Sequence, residues 1–294
     1  MDAILDESFS FALWPDAPAH RDQPAFVFGN PDAAVNDRDI TDVFHPRVYG
    51  YAPREPNGRA ALVLAGGGYT KLVVGYEGVE VARWLCDLGF HAFVLVHRFP
   101  CARWAGDTQN GSQAPVDDAI EAMRQIRARR AEWGIDEDGV GVVGLSSGGH
   151  LAACLISNYP ASWRAAASRH ADFSHRPDFL VVGYAPISTN ATGRTIVPNK
   201  PPLPPAEKQA LYEAMQPDAQ LADDPPPTFV IYSAEDPVVP VENAYRLASA
   251  LRAKGGSVET HVFARGKHGF ALREKELPIG QWPRMCGEWL GRLE

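Results

Sequence analysis

A short segment near the middle of the chain places two glycines around a pair of serines, where an apolar run gives way to a helix-like stretch. The segment reads Gly144-Leu145-Ser146-Ser147-Gly148 and ends the run VGVVGL. A strand-to-helix turn of the form Gly-x-Ser-x-Gly strains its central residue, so only small neighbours fit beside it. Such a turn lifts the serine hydroxyl above the sheet, near the N-terminus of the next helix. The spacing therefore predicts Ser146 as a nucleophile.

Downstream of Ser146, two strand-like runs end in residues that could activate a serine. A serine hydroxyl is a weak nucleophile unless a histidine accepts its proton and a carboxylate orients that histidine. In the chain order Ser, acid, His, Glu235 and Asp236 follow the run TFVIYSA, and His268 follows the run VETHVFA. The sequence predicts His268 as the base and leaves both carboxylates as alternatives for the acid.

Six of the other eight histidines have simpler interpretations. Structural positions in strand-like or helix-like runs are predicted for His91, His97, His150 and His261. His170 and His175 form a polar pair that could bind a metal, but no third ligand stands nearby in the sequence. The four cysteines also lack metal-like spacing. We therefore predict neither a metal site nor a disulfide framework.

Three consecutive glycines, Gly66 to Gly68, end the early strand-like run RAALVLA. A tetrahedral intermediate on a serine needs backbone N–H donors, and two consecutive amides of this run with the Ser147 amide could supply them. A phosphate-binding turn would require G-x-G-x-x-G, or a following Lys-Ser or Lys-Thr, and neither is present. We predict an oxyanion hole, with the pair of glycines left open. Tyr69, directly after them, is predicted to crowd the substrate pocket beside the scissile carbonyl.

Strand-like and helix-like runs alternate from about residue 60 onward, the pattern of a parallel sheet covered by helices on both faces. Residues 39–53 are predicted to add an antiparallel pair at one edge. Residues 187–227, rich in proline, asparagine, threonine and aspartate, interrupt the alternation. This excursion is either a surface loop without a role or a cap over the strand ends. We predict one α/β domain over residues 1–294.

Charge and hydropathy limit the classes of partner. The formal net charge of −8 argues against nucleic acid, because a phosphate-backbone binder needs a basic face. The first residues contain no basic segment followed by an apolar stretch, and no apolar run approaches the length of a membrane span. We expect a soluble, cytoplasmic protein with neither a nucleic-acid nor a membrane partner.

Taken together, these segments resemble the α/β-hydrolase superfamily, and more narrowly its acetyl esterase and acetylxylan-esterase-like branch. The resemblance covers most of the chain and is carried by FALWPDAPAH, AGGGYTKLVVGYEGVEVARWL, AEWGIDEDGVGVVGLSSGGHLAA and AEDPVVPVENAYRLASALRAKGGSVETHVFARGKHGF. It weakens from about Trp163 to Pro227. The sequence departs from the family at Ala65, where many relatives have proline or histidine, and at the insert FPCARWAGDTQNGSQ.

The resemblance implies an α/β-hydrolase fold and a set of site residues. They are a triad of Ser146, Asp236 and His268 and an oxyanion hole of Gly67, Gly68 and Ser147. It also implies a serine carboxylesterase for short acyl esters, acetyl esters of sugars or oligosaccharides among them, which needs no metal or organic cofactor. The expected partner is a small-molecule ester. Two alternatives remain, an amidase or peptidase of the same fold and a non-catalytic binding protein. The oligomeric state, a homo-oligomer included, is left open.

Overall fold

A mixed sheet of eight strands runs through the described residues of a computed structural model, which are 4–15, 24–100, 111–163, 167–188 and 206–293. The strands within these ranges are β1 (Phe9–Ala12), β2 (Phe26–Phe28), β3 (Ile40–Val43), β4 (Arg47–Tyr51), β5 (Ala60–Leu64), β6 (His91–Val96), β7 (Val140–Leu145), β8 (Leu180–Gly183), β9 (Thr228–Ser233) and β10 (Val258–Phe263). Two of them, β2 and β3, form a separate antiparallel sheet.

The order of the large sheet is β1-β4-β6-β5-β7-β8-β9-β10. All neighbours from β6 to β10 are parallel, whereas β4 is antiparallel to both β6 and β1. The central strands β5 and β7 are apolar throughout and fully buried, as expected of parallel strands covered on both faces. The predicted fold class, a mostly parallel α/β-hydrolase sheet, is confirmed.

The prediction for residues 39–53 is wrong in its pairing. Only β4 from this segment joins the large sheet, and its edge partner is β1, with Phe9 opposite Gly50. The other strand of the segment, β3, pairs instead with β2. A Cβ at Gly50 would overlap the Phe9 ring, so this glycine lets the aromatic side chain of β1 lie flat across β4.

Helices occupy the connections between the strands. Within the described residues they are α1 (Glu80–Asp87), α2 (Ala114–Ala128), α3 (Ser147–Cys154), α4 (Ala206–Ala214), α5 (Pro217–Gln220), α6 (Glu242–Ala253) and α7 (Trp282–Leu290), with a π-helical turn at Gly75–Val79. Gly89 follows the end of α1 with φ 88°, a left-handed conformation that favours glycine. Among the described residues, none of the helices is both long and apolar enough to span a bilayer.

The six parallel strands, β5 to β10, have their carboxyl ends at one edge of the sheet. Because β5 lies beside β7, the glycine run after β5 meets the serine turn after β7. The order continues through β8 to β9 and β10, which precede the predicted acid and base. The carboxyl edge of a parallel sheet is the usual place for a ligand in such folds.

The predicted cap lies only partly within the described residues, since residues 189–205 fall outside them. Its described part contains α4 and α5. The Tyr212 ring of α4 packs against Tyr69, with ring centroids 5.4 Å apart, and against His150 at 4.8 Å. This helix therefore lies over the glycine run. Of the predicted insert after β6, residues 101–110 also lie outside the described ranges.

Candidate active site

The turn between β7 and α3 has the sharp geometry that its glycines predict. Ser146 has φ 52° and ψ −126°, a positive φ that non-glycine residues rarely adopt. A Cβ at Gly148 would overlap the carbonyl group of Leu64, and a Cβ at Gly144 would overlap the carbonyl oxygen of Gly148. Packing therefore requires both glycines: Gly148 because the turn lies against β5, and Gly144 because α3 packs back onto β7.

A series of hydrogen bonds connects the serine to a carboxylate. Ser146 Oγ lies 2.9 Å from His268 Nε2, and His268 Nδ1 lies 2.7 Å from Asp236 Oδ2. Asp236 Oδ1 accepts the backbone N–H groups of Val238 at 2.8 Å and Val239 at 2.9 Å. Since an ionised carboxylate only accepts, the imidazole proton belongs on Nδ1. Nε2 is then free to accept the serine proton.

The two adjacent carboxylates of the sequence have different environments. The side chain of Asp236 is fully buried against the imidazole, whereas that of Glu235 is 62% exposed. Glu235 Oε2 lies 3.7 Å from Arg265 Nε, an exposed guanidinium on the following loop. Only Asp236 contacts His268.

The glycine run presents its three amides to three different surroundings. Gly66 N–H donates to Glu77 Oε2 at 2.7 Å, and Gly68 N–H donates to Ser147 Oγ at 2.9 Å. Gly67 N–H has no acceptor within the part of the chain that the structure describes. The Ser147 N–H is the first of α3, where a helix leaves its amides without an internal acceptor. Gly67 and Ser147 are thus the amides open to an oxyanion, and Gly68 could donate only by leaving Ser147.

Tyr69 lies behind the glycine run in a buried aromatic cluster, with 1% of its surface exposed. Its hydroxyl is 2.9 Å from His150 Nδ1, and its ring packs against His97 and Tyr212. Burial lowers the pKa of His150 to about 4, so this imidazole is neutral at pH 7. His150 Nε2 lies 3.1 Å from the Met215 carbonyl and donates to it, which leaves Nδ1 to accept the tyrosine proton.

A lysine of α4, which the sequence did not single out, lies beside the same glycines. A Cβ at Gly68 would lie 3.4 Å from Lys208 Nζ. Among the described residues this ammonium has no ion-pair partner, and burial lowers its pKa. Three N–H donors are therefore available next to the site.

Glu77, which sequence reasoning also missed, is a buried carboxylate beneath the site. It lies in the π-helical turn, is 2% exposed, and accepts the Tyr184 hydroxyl at 2.9 Å in addition to the Gly66 amide. Tyr184 follows β8, and its ring packs edge-on against His268 with centroids 5.1 Å apart. The signal in the sequence is an acid inside the otherwise apolar stretch VVGYEGV.

The polar histidine pair has other contacts. His170 Nδ1 lies 3.1 Å from Glu121 Oε1, and the His175 ring packs against Tyr159. Within the described ranges, no group of three or more His, Cys, Asp or Glu side chains could hold a metal ion.

Comparison with known proteins assigns the family. The prolyl oligopeptidase family matches residues 103–278, which include Ser146, Asp236 and His268, and the chain belongs to this family of α/β-hydrolases. It is 30% identical over 243 residues to endo-1,4-beta-xylanase B of Butyrivibrio fibrisolvens, covering 81% of this chain and 36% of that protein. It is 27% identical over 264 residues to the acetylxylan esterase of Xylanibacter ruminicola, covering 86% of this chain and 49% of that protein.

The chain thus spans between about a third and a half of the length of these curated relatives. One solved structure matches this chain over nearly the whole length of both proteins. The acetyl ester-xyloside bifunctional hydrolase of Caldicellulosiruptor lactoaceticus superposes with a TM-score of 0.70 at 27% identity, covering 97% of this chain and 96% of that chain. The predicted resemblance to the acetylxylan-esterase-like branch is confirmed.

Proposed function

We propose that this protein is a serine carboxylesterase that removes short acyl groups, acetyl above all, from the hydroxyl groups of sugars or oligosaccharides. The observation that carries the proposal is the hydrogen-bonded series from Ser146 through His268 to Asp236 at the carboxyl edge of the sheet. Its members occupy the nucleophile, base and orienting positions of a serine hydrolase.

The geometry supports a two-step reaction. Ser146 Oγ attacks the ester carbonyl while its proton passes to His268 Nε2, and Asp236 stabilises the imidazolium that forms. The oxyanion that develops on the carbonyl accepts the N–H groups of Gly67 and Ser147. His268 then protonates the departing alkoxide, and the acyl-enzyme remains. In the second step water attacks that ester while its proton passes to His268, which then protonates the departing Ser146 Oγ as the carboxylic acid is released.

Two observations support a carbohydrate as the alcohol part of the substrate ester. An acetylxylan esterase and an acetyl ester-xyloside hydrolase are among the relatives, although the chain covers only about half of the first. Lys208 beside the glycine run offers donors suited to sugar hydroxyls. The cytoplasmic location stays a prediction from the sequence.

A peptidase or amidase is the second candidate, and the family assignment favours it. The family is named for an oligopeptidase, and acylamino-acid-releasing enzyme 2 of Oryza sativa is 26% identical over 239 residues. Amides are the more difficult substrates, because a nitrogen leaving group is harder to expel than an alkoxide. The same triad could act on either substrate, so the geometry of the triad does not separate the two reactions.

The test combines a covalent probe with a pair of substrates. A fluorophosphonate should label the purified protein at Ser146, because labelling requires an activated nucleophile, and Ser146→Ala should remove the label. Hydrolysis of an aryl acetate should exceed that of the matching aryl acetamide. Faster turnover of the acetamide would favour the amidase, and a protein that is neither labelled nor active would be a binding protein.

Acyl length should be limited to acetate and propionate. Tyr69 closes the space behind the glycine run together with His150 and Tyr212, and this cluster is already packed. A longer acyl chain directed toward it would have to displace buried rings, which cores resist. A kcat/KM series on p-nitrophenyl esters checks this. A steady rise to octanoate would show that the acyl chain takes another direction.

A further inference from the structure

We infer that Glu77 is a positioning residue of this site. It holds the glycine run, residues 66–68, and, through Tyr184, the His268 imidazole in the positions that they need relative to Ser146. The inference rests on the proposed esterase function. It assigns a role to a buried carboxylate outside the triad.

Glu77 joins two parts of the site that are remote in sequence. Oε2 accepts the N–H of Gly66, the residue before the open Gly67 amide, at 2.7 Å. Oε1 accepts the Tyr184 hydroxyl at 2.9 Å, and the Tyr184 ring packs edge-on against His268. A Cβ at Gly66 would lie 2.6 Å from Ser146 Cβ, so the glycine whose amide Glu77 holds lies directly beside the side chain of the nucleophile.

The burial of this carboxylate is costly. Among the described residues no lysine or arginine forms an ion pair with Glu77, and the side chain is almost wholly removed from water. Desolvation raises its pKa, against the lowering effects of the Gly66 N–H, the Tyr184 hydroxyl and the charge of His268.

Both carboxylate oxygens of Glu77 accept hydrogen bonds, as an ionised carboxylate does, so its charge also acts on the base. The titratable groups that face Glu77 are His268, Tyr184, Tyr76 and the more distant Asp39. Oε1 would lie 3.8 Å from a Cβ at Gly269, the residue after His268. The imidazolium formed in the reaction is therefore attracted by two carboxylates, Asp236 through a hydrogen bond and Glu77 through space.

Three variants separate position from charge. Glu77→Gln keeps the shape and a carbonyl for the Gly66 amide but removes the charge. Glu77→Asp keeps the charge but shortens the reach to Gly66. Tyr184→Phe keeps the ring against His268 and removes only the hydroxyl. The matched control is Glu80→Gln, on the next turn, where the carboxylate pairs with the half-exposed Arg273 at 2.8 Å.

Each of the three variants should lower kcat on an acetate ester, on the order of 10- to 100-fold for Glu77→Gln. Its single oxygen cannot replace both carboxylate oxygens as acceptors for Gly66 and Tyr184, and small displacements of reacting groups have effects of that size. KM should stay within about twofold. Glu77→Gln should also move the low-pH limb of kcat/KM to lower pH by about half a pH unit or more, since loss of a nearby negative charge disfavours the imidazolium. Glu77→Asp should leave that limb in place, and Glu80→Gln should change neither quantity.

Thermal unfolding of each variant checks that the fold is kept. The inference is overturned if folded Glu77→Gln and Tyr184→Phe both retain wild-type kcat, or if kcat falls while the low-pH limb of Glu77→Gln does not move. If Glu77→Gln does not fold, Tyr184→Phe decides, and wild-type kcat in that variant is again an overturning result. A wild-type protein without esterase activity overturns the proposed function and this inference with it, whereas an active wild type with unaffected variants overturns the inference alone.

Discussion

Ser146→Ala is expected to lower kcat on an acetate ester by on the order of 10⁴-fold or more, because the acyl-enzyme cannot form without the serine oxygen. The fold should be unaffected. The hydroxyl contributes one hydrogen bond at the edge of the site, and alanine is no larger than serine in a turn pressed against β5. The measurement is turnover by the purified variant, compared with wild type at matched circular dichroism. Retention of more than about a tenth of the wild-type kcat would contradict the assignment of the nucleophile.

Ser147→Ala is the matched control for this experiment. Ser147 is the next residue, equally buried, and its Oγ accepts the Gly68 amide at 2.9 Å. The variant removes that acceptor but keeps the backbone N–H proposed to bind the oxyanion. It should therefore retain far more activity than Ser146→Ala, and the difference between the two isolates the nucleophile from the packing of the turn.

The strand-to-helix turn and the order of the site residues could be predicted because local sequence determines them. The strands β5 and β7 are continuous apolar runs, and buried parallel strands have that signature. The glycines around Ser146 follow from close packing, of Gly148 against β5 and of Gly144 against α3. Residues that follow neighbouring parallel strands meet at one edge, so the approach of Asp236 and His268 to Ser146 follows from their places in the chain.

The features that sequence reasoning missed depend on contacts between distant segments. Nothing local in β3 shows that it pairs with β2 instead of β4, because edge pairing is decided by which surfaces remain uncovered after the core has formed. Glu77 is a further example, since its partners lie on the loops after β5 and β8.

The second large effect on activity is expected at Asp236, the one of the two adjacent carboxylates that contacts His268. Asp236→Asn is expected to lower kcat by several orders of magnitude, about 10⁴-fold by comparison with other serine triads. The structure gives the reason. Asp236 Oδ1 accepts two backbone amides, from Val238 and Val239, so the asparagine carbonyl should take that position and turn its NH₂ toward His268. An NH₂ donor requires Nδ1 to be the acceptor, which puts the imidazole proton on Nε2 and prevents it from receiving the serine proton.

Glu235→Gln provides the comparison at the adjacent position. Its carboxylate is mostly exposed and lies 3.7 Å from an exposed Arg265, an interaction worth about 0–1 kcal/mol. Because its side chain does not contact His268, the tautomer of the imidazole should be unchanged and kcat should stay close to wild type. Both variants should be assayed on one acetate ester, at matched folding by circular dichroism. A larger loss in Glu235→Gln than in Asp236→Asn would mean that the acid is displaced by one residue, and that the hydrogen bond between Asp236 and His268 does not orient the base.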